Sequence, residues 1–374
     1  MTRTRRTSEV EQKIEEMLNS SFLSVYLNDE DITDISYDGT HLRIQHNKKG
    51  RYIADEQPDY NEVYELGKRI ANIQGKEWTS NTPLLNTELS YLRVNFVHEV
   101  VSPSGCTFAL RVSRPKLVTT SLESFAGEEV AQLLSVLIKG EYNTIIAGRT
   151  GSGKTELQKL LVNHIDDSKK ITLIEDTMDS HIKEIYPNKD VNSWRTLMED
   201  SRENKITYHD LIKEGLRNNP DWLMVAETRG AEAYDMLESA LTDHCIITTI
   251  HARGARAIPT RILRMIGQRF DFDERILGQD IAETLKIGIY LTMEFTNEGI
   301  KRYIREIYEY TGFSDGGVQY NPIYRVKRVY DEESGEYREV TEMNPLSKET
   351  IEDLTFKKLI HKVPKVFLEG GGDK

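Results

Sequence analysis

Asn143-Thr-Ile-Ile-Ala-Gly-Arg-Thr-Gly-Ser-Gly-Lys-Thr155 is the stretch that decides how this chain is read. Its first residues form a short apolar strand, and Leu157-Gln-Lys-Leu-Leu-Val162 beyond it continues as a helix. Between them Gly148–Thr155 matches G-x-x-x-x-G-K-[ST] at every defined position. The glycines let backbone N–H groups turn inward around a polyphosphate. Lys154 brings a charge to the β- and γ-phosphates, the Thr155 hydroxyl can ligate Mg²⁺, and the start of the helix adds its positive end. Gly148, Arg149, Thr150, Gly151, Ser152, Gly153, Lys154 and Thr155 are therefore the nucleotide-binding candidates, with ATP and Mg²⁺ as the expected ligands. The motif alone does not separate a motor from a kinase or a switch.

Downstream, helices alternate with the apolar strands Ile171–Ile174, Trp222–Val225 and Cys245–Ile250. Nearly continuous apolar strands between helices predict an α/β fold, a parallel sheet covered on both faces. Such sheets place ligands at the C-terminal ends of their strands. The first of these strands ends in Glu175-Asp176, the second in Glu227 followed by Arg229, the third in His251. Hydrolysis needs a carboxylate near the metal and a group that orients water. Glu227 is the candidate for the metal and Glu175 for the general base, while Asp176 is a candidate to hold arginine side chains. From spacing alone His251 serves equally well as a functional residue or a buried hydrogen-bonding one, and His244 carries less weight still.

Upstream of the loop the pattern is α+β. Ser8–Leu27 reads as a helix with Val10, Ile14, Met17 and Leu18 on one face. Ile32–Tyr37 and Leu42–His46 flank an Asp38-Gly39 turn as a hairpin. Asn61–Asn72 is a helix, and Tyr91–Val97 and Cys106–Val112 are strands joined through Pro103-Ser-Gly105. Residues 116–128 are polar, without a clear period, and read as a linker. The expected organisation is an N-terminal domain over 1–115, a linker over 116–128, a motor domain over 129–330 and a C-terminal extension over 331–374. Past Ile289 the sequence turns to tyrosine-rich alternation over Tyr303–Tyr310 and Tyr320–Tyr330, a partner surface or a β-hairpin capping the second domain. Gly370–Gly372 is expected to fray.

Composition narrows the function. The 374 residues are 38% hydrophobic and 29% charged, which suits a globular protein of two domains. No apolar run approaches the ~20 residues of a membrane span, and the glutamate-rich start does not read as a secretory signal. A cytoplasmic protein, at most peripheral to the inner face of the cell membrane, is expected. The two cysteines, Cys106 and Cys245, are too few for a disulfide framework or a four-cysteine metal site. A net charge of −12 argues against a broad surface for DNA phosphates but leaves room for a local basic patch.

The ordered set of motifs resembles the secretion ATPases of type II and type IV secretion systems, conjugation machines and type IV or tight-adherence pili. Beside the phosphate loop, Ile174-Glu-Asp-Thr177 is similar to the family's Asp box. Leu216–Gly230 is similar to its Walker B segment, with glutamate at the strand end, and Thr242–Ala252 to its His box. Asp31–Ser36, Leu92-Arg-Val-Asn95 and Leu110-Arg-Val112 extend the likeness upstream, so that it covers roughly residues 25 to 310. The conjugation and tight-adherence branch looks closest.

The resemblance implies a homo-hexameric ring on the cytoplasmic face of a membrane secretion or pilus complex. Each chain would pair an N-terminal domain with a RecA-like motor domain, with ATP between them. Glu175 would be the general base, Glu227 the Mg²⁺ or water-positioning carboxylate, and His251 a γ-phosphate sensor or a contact across subunits. Arg93 and Arg111 would reach the phosphates from the N-terminal domain, and Arg217 and Arg229 match the arginines around Walker B. Two positions depart from the pattern: Asp243 stands where the His box has glycine, and Arg253 where it has asparagine. Arg253 and Arg256 read equally as a contact to a neighbouring subunit and as a solvated helix start. A motor acting directly on nucleic acid and a non-catalytic nucleotide-dependent scaffold are the competing readings; the acidic balance disfavours the first, and the presence of both glutamates the second.

Overall fold

A strand that is apolar along its whole length must be covered on both faces, whereas an alternating strand needs cover on one. The computed structural model describes residues 12–119, 121–197, 205–296, 299–314, 317–332 and 334–369, and it contains both kinds. They fall into two compact units. The first runs to Pro115 and also takes in Glu294–Lys301; the second comprises Lys116–Met293 and the chain from Arg302 onward.

The first unit is a six-stranded sheet of alternating strands. They are β1 (Ile32–Tyr37), β2 (Leu42–His46), β3 (Gly50–Ile53), β4 (Leu84–Leu89), β5 (Leu92–Val97) and β6 (Thr107–Val112), in the order β3-β2-β1-β6-β5-β4. In β5 burial alternates strictly, with Leu92, Val94 and Phe96 inward. The helix Tyr60–Ile73 shares their core through Val63, Leu66 and Ile70. Its start is fixed by a capping box between Asp59 and Glu62. The expected helix Ser8–Leu27 is interrupted: residues 12–19 are helical, and a second short helix covers Ser24–Leu27. The Ser20 and Ser21 hydroxyls donate back to the Met17 and Leu18 carbonyls, at 3.0 and 2.8 Å, and compete with the helix there. Val10 lies outside the described residues; Ile14, Met17 and Leu18 are buried as expected.

The second unit is built on nine strands. They are β7 (Thr144–Gly148), β8 (Lys170–Glu175), β9 (Asp190–Arg195), β10 (Trp222–Val225), β11 (Cys245–Ile250), β12 (Ile287–Thr296), β13 (Gly299–Ser314), β14 (Gly317–Asp331) and β15 (Glu336–Met343), in the order β15-β14-β13-β12-β7-β11-β10-β8-β9. From β12 to β9 the neighbours are parallel. Successive residues of one strand enter different cores. Ile146, Trp222, Met224 and Ile247 face one side, and Ile145, Leu223, Val225 and Ile246 the other.

Two expectations are corrected here. Residues 116–128 hold the helix Glu123–Ala126, and Leu122 and Phe125 are buried in the core of the second unit, so this stretch is part of that unit rather than a linker. The boundary expected after residue 330 falls at the end of β14. The chain beyond it is integral too: β15 pairs with β14, and Leu354 and Phe367 are fully buried in the same core. The tyrosine-rich alternation forms the antiparallel β13–β14 pair. Residues 370–372 lie outside the described residues. Among the described residues no helix is long and apolar enough to cross a membrane.

Asp243 takes the left-handed conformation that glycine adopts freely, with φ +70°. Its N–H donates to Ala240 O at 3.1 Å, closing the turn that leads into β11. A β-branched side chain would be strained there. Asp243→Val is expected to lose about 1–2 kcal/mol of stability in urea unfolding, and Asp243→Gly to lose nothing. A glycine variant as weakened as the valine one would contradict this account of the turn.

Candidate active site

Four adjacent strands, β7, β11, β10 and β8, point their C-terminal ends at one edge of the sheet. They deliver the phosphate loop, His251, Glu227 and Glu175 respectively. His244 precedes β11, and Arg217 precedes β10 and bonds Glu214 at 2.7 Å, so both sit toward the opposite edge.

The loop has the conformation that its glycines permit. Gly151 and Gly153 have φ of +80° and +92°, and the helix Lys154–Val162 begins immediately after them. At Gly148 an added Cβ would come within 2.4 Å of Ser152 Oγ and 2.9 Å of Leu291 O, so no larger residue fits there without displacement. The Lys154 side chain is buried and its ammonium folds onto the carbonyls of Gly148 and Arg149, at 3.1 and 3.3 Å. A phosphate would offer it stronger, charged acceptors in place of these.

The two glutamates have opposite surroundings. Glu175 is 1% exposed. One carboxylate oxygen accepts the Ser180 N–H at 3.1 Å, and the other is buried without a hydrogen bond. Burial, reinforced by Asp179 and Asp176 against the Ser180 bond, pushes its pKa up to about 7. Glu227 is partly buried, which would raise its pKa. The hydrogen bond and charge of Arg229, with the charges of His251 and Lys154, outweigh that and hold it below the ordinary value. Arg229 reaches Glu227 Oε2 and Asp176 Oδ2, each at 2.8 Å, so Asp176 does hold an arginine. His251 Nε2 lies 2.8 Å from Glu227 Oε1 as an ion-pair contact, while that buried oxygen receives no hydrogen bond.

These oxygens suit a hard divalent cation. The Glu227 carboxylate, with an oxygen that accepts no hydrogen bond, and the exposed Thr155 hydroxyl are of the donor class that Mg²⁺ takes. Arg93 and Arg111 belong to the other unit, where they are register partners on β5 and β6. Arg111 Nε lies 3.4 Å from Asp34.

Two supports of the loop come from distant chain. Arg302, on β13, donates from Nε to Gly151 O at 2.8 Å. Phe125 lies under Gly153, 3.3 Å from where a Cβ would stand. The sequence gives no local signal for either, because each lies far from the loop in the chain.

A family model described as "Type II/IV secretion system protein" matches residues 9–293. The chain is 32% identical over 321 residues to an uncharacterised protein of Bacillus anthracis, covering 83% of this chain and 71% of that one. It is 24% identical over 295 residues to the type IV secretion system protein VirB11 of Brucella suis, covering 69% and 79%. The X-ray structure of the Legionella pneumophila ATPase DotB superposes with a TM-score of 0.55 at 18% identity, covering 96% of this chain and 88% of that one. The fold is the expected one, a RecA-like α/β domain with a smaller α+β domain.

Glu175 carries its raised pKa only when folded. Its protonated form therefore favours folding below about pH 4.5, and that advantage is lost as pH rises through about 7. The full difference is about 3 kcal/mol. The stability of Glu175→Gln relative to the parent is expected to rise by about that amount between about pH 4 and pH 8 in parallel urea titrations. A constant offset across that range would contradict the buried, uncompensated carboxyl.

Proposed function

We propose that this chain, which belongs to the type II/IV secretion system protein family, hydrolyses ATP and couples the hydrolysis to domain movement that powers secretion, conjugative transfer or pilus assembly. The observation that carries this reading is the convergence of the phosphate loop, His251, Glu227 and Glu175 on the ends of four adjacent strands. A binding-only switch has no need of a buried carboxyl tuned to about pH 7 beside that loop.

In this mechanism the loop N–H groups and Lys154 hold the β- and γ-phosphates. Glu175 takes a proton from the attacking water as the oxygen of that water bonds to the γ-phosphorus. The bond between that phosphorus and the β–γ bridging oxygen breaks, and ADP leaves with the bridging oxygen. A carboxyl with a pKa near neutrality is suited to accept that proton. Mg²⁺, held by Thr155 and Glu227, would neutralise charge on the β- and γ-oxygens. Arg229, fixed between Glu227 and Asp176, keeps Glu227 ionised and in place. His251, in contact with Glu227, would report on the γ-phosphate.

Arg93 and Arg111 would supply positive charge from the N-terminal unit. A charge delivered by another unit makes turnover depend on closure, and so ties chemistry to motion. We further propose a homo-hexameric ring on the cytoplasmic face of a membrane complex; the relative named as a type IV secretion system protein supports that setting.

Purified protein is expected to show Mg²⁺-dependent ATPase activity that falls at least about 100-fold in Lys154→Ala and Glu227→Gln. Equal rates in all three proteins would sink the hydrolytic reading. Arg111→Ala is expected to lower kcat with little change in nucleotide affinity. Light scattering with ATP should give a mass near six chains at high protein concentration; a monomer under every condition would remove the ring.

A further inference from the structure

The loop after β11 and the helix Ile258–Ile266 border a cavity of about 720 Å³. The helix buries Ile258, Ile262, Leu263, Met265 and Ile266 on its inner side. Arg261 and Arg264 line the cavity from its other face, joined by Arg253 and Arg256 from the segment leading into it. Among the described residues no carboxylate pairs with these four arginines. One carboxylate, Glu306, stands in the wall with them; its Oε2 accepts the Ala255 N–H at 2.8 Å, and the arginines outnumber it. A fifth arginine in the wall, Arg325, pairs with Glu342 at 3.2 Å, a carboxylate that it shares with Lys327.

This concentration of unpaired guanidinium groups stands in a chain of net charge −12. Arg261 and Arg264, three residues apart on one helix, repel each other. Arg253 and Arg256 lie just before the positive end of that helix, an equally unfavourable place for cations. An anion in the cavity relieves all of these repulsions at once. The volume is that of a small-molecule site, larger than one phosphate requires. The aromatic wall argues for recognition through phosphates rather than a base. Tyr308 and Tyr320 stack on each other at 4.8 Å and 9°, and Arg256 lies over Tyr320 at 5.6 Å.

We propose that this cavity is a second anion site, distinct from the Gly148–Thr155 loop, and that it takes a small molecule bearing a di- or triphosphate. Guanidinium forks bind such oxygens in pairs, a geometry that a lysine cluster would not provide. His251 lines the cavity as well as touching Glu227, so the site adjoins the candidate hydrolytic edge. The proposal does not depend on hydrolysis there.

The test is calorimetric titration of pyrophosphate, and separately of ADP, into the full chain carrying Lys154→Ala, which weakens the loop site. The same titrations are run with Arg261→Ala and Arg264→Ala added. Both arginines lie on the outward face of their helix; unchanged circular dichroism and thermal midpoint establish that the variant is folded. A second pair, Arg253→Ala with Arg256→Ala, probes the loop side. Binding of pyrophosphate that weakens with salt and falls about tenfold or more in either arginine variant is the expected result. ADP binding as tightly as pyrophosphate would mark the phosphates as the recognised groups, and tighter ADP binding would add a nucleoside contact; both support the site. Affinity unchanged by the arginine substitutions overturns it. Much tighter binding of polyglutamate or an oligothymidylate than of pyrophosphate would assign the cavity to a macromolecule and overturn the small-ligand proposal.

Discussion

Every residue of β7 and of β10 is buried, and the rest of the second unit follows from that constraint. A strand covered on both faces has no wet side on which to carry a polar group. Chemistry is therefore displaced to the ends, where the chain leaves the sheet and the backbone can turn outward. Parallel pairing then gathers the ends of neighbouring strands at one edge. Gly148, Glu175, Glu227 and His251 are widely spaced in the chain, and it is the sheet order β7-β11-β10-β8 that makes them neighbours.

At that edge the same burial has two outcomes, decided by whether a cation is within reach. Among the described residues no arginine or lysine is bonded to Glu175, and burial carries its pKa to about 7. Glu227 meets Arg229, His251 and the field of Lys154, and stays ionised. Two chemically identical side chains on adjacent strands are thus divided into one that can take up a proton near neutrality and one that keeps its negative charge. Pairs of carboxyls driven apart in pKa mark acid–base assignments in hydrolytic sites generally. Arg229 is the residue that enforces the division, because it spans Glu227 and Asp176 and leaves Glu175 aside.

What the sequence made legible and what it hid follow from the same physics. The doubly covered strands announce themselves as apolar runs, so β7, β8, β10 and β11, together with the groups at their ends, were readable. The half-covered edges were not. β9, Asp190-Val-Asn-Ser-Trp-Arg195, buries only Val191 and has the composition of a loop; β3 buries only Gly50, and the two buried leucines of β4, Leu85 and Leu89, are separated by the polar Asn86-Thr-Glu88. Phe125 was hidden because one buried aromatic in a polar stretch has no period. Arg302 and Phe125 reach the phosphate loop only through the fold. The arginine cavity is half visible: Arg253 and Arg256 stand out together in the sequence, but the wall is completed by Tyr320 and Arg325 from β14, which no local pattern connects to them. Asp243 stands at a glycine-like position, with φ +70°, just before β11 and so at the edge of the sheet away from the carboxylates.

The central claim is that Glu175 performs proton transfer and contributes little to holding the nucleotide. Nucleotide affinity and single-turnover hydrolysis measured side by side in the parent and in Glu175→Gln test it most directly. The account predicts unchanged affinity and a chemical step slowed by about 100-fold or more. A variant that binds ATP equally well and cleaves it within a few-fold of the parental rate would contradict it.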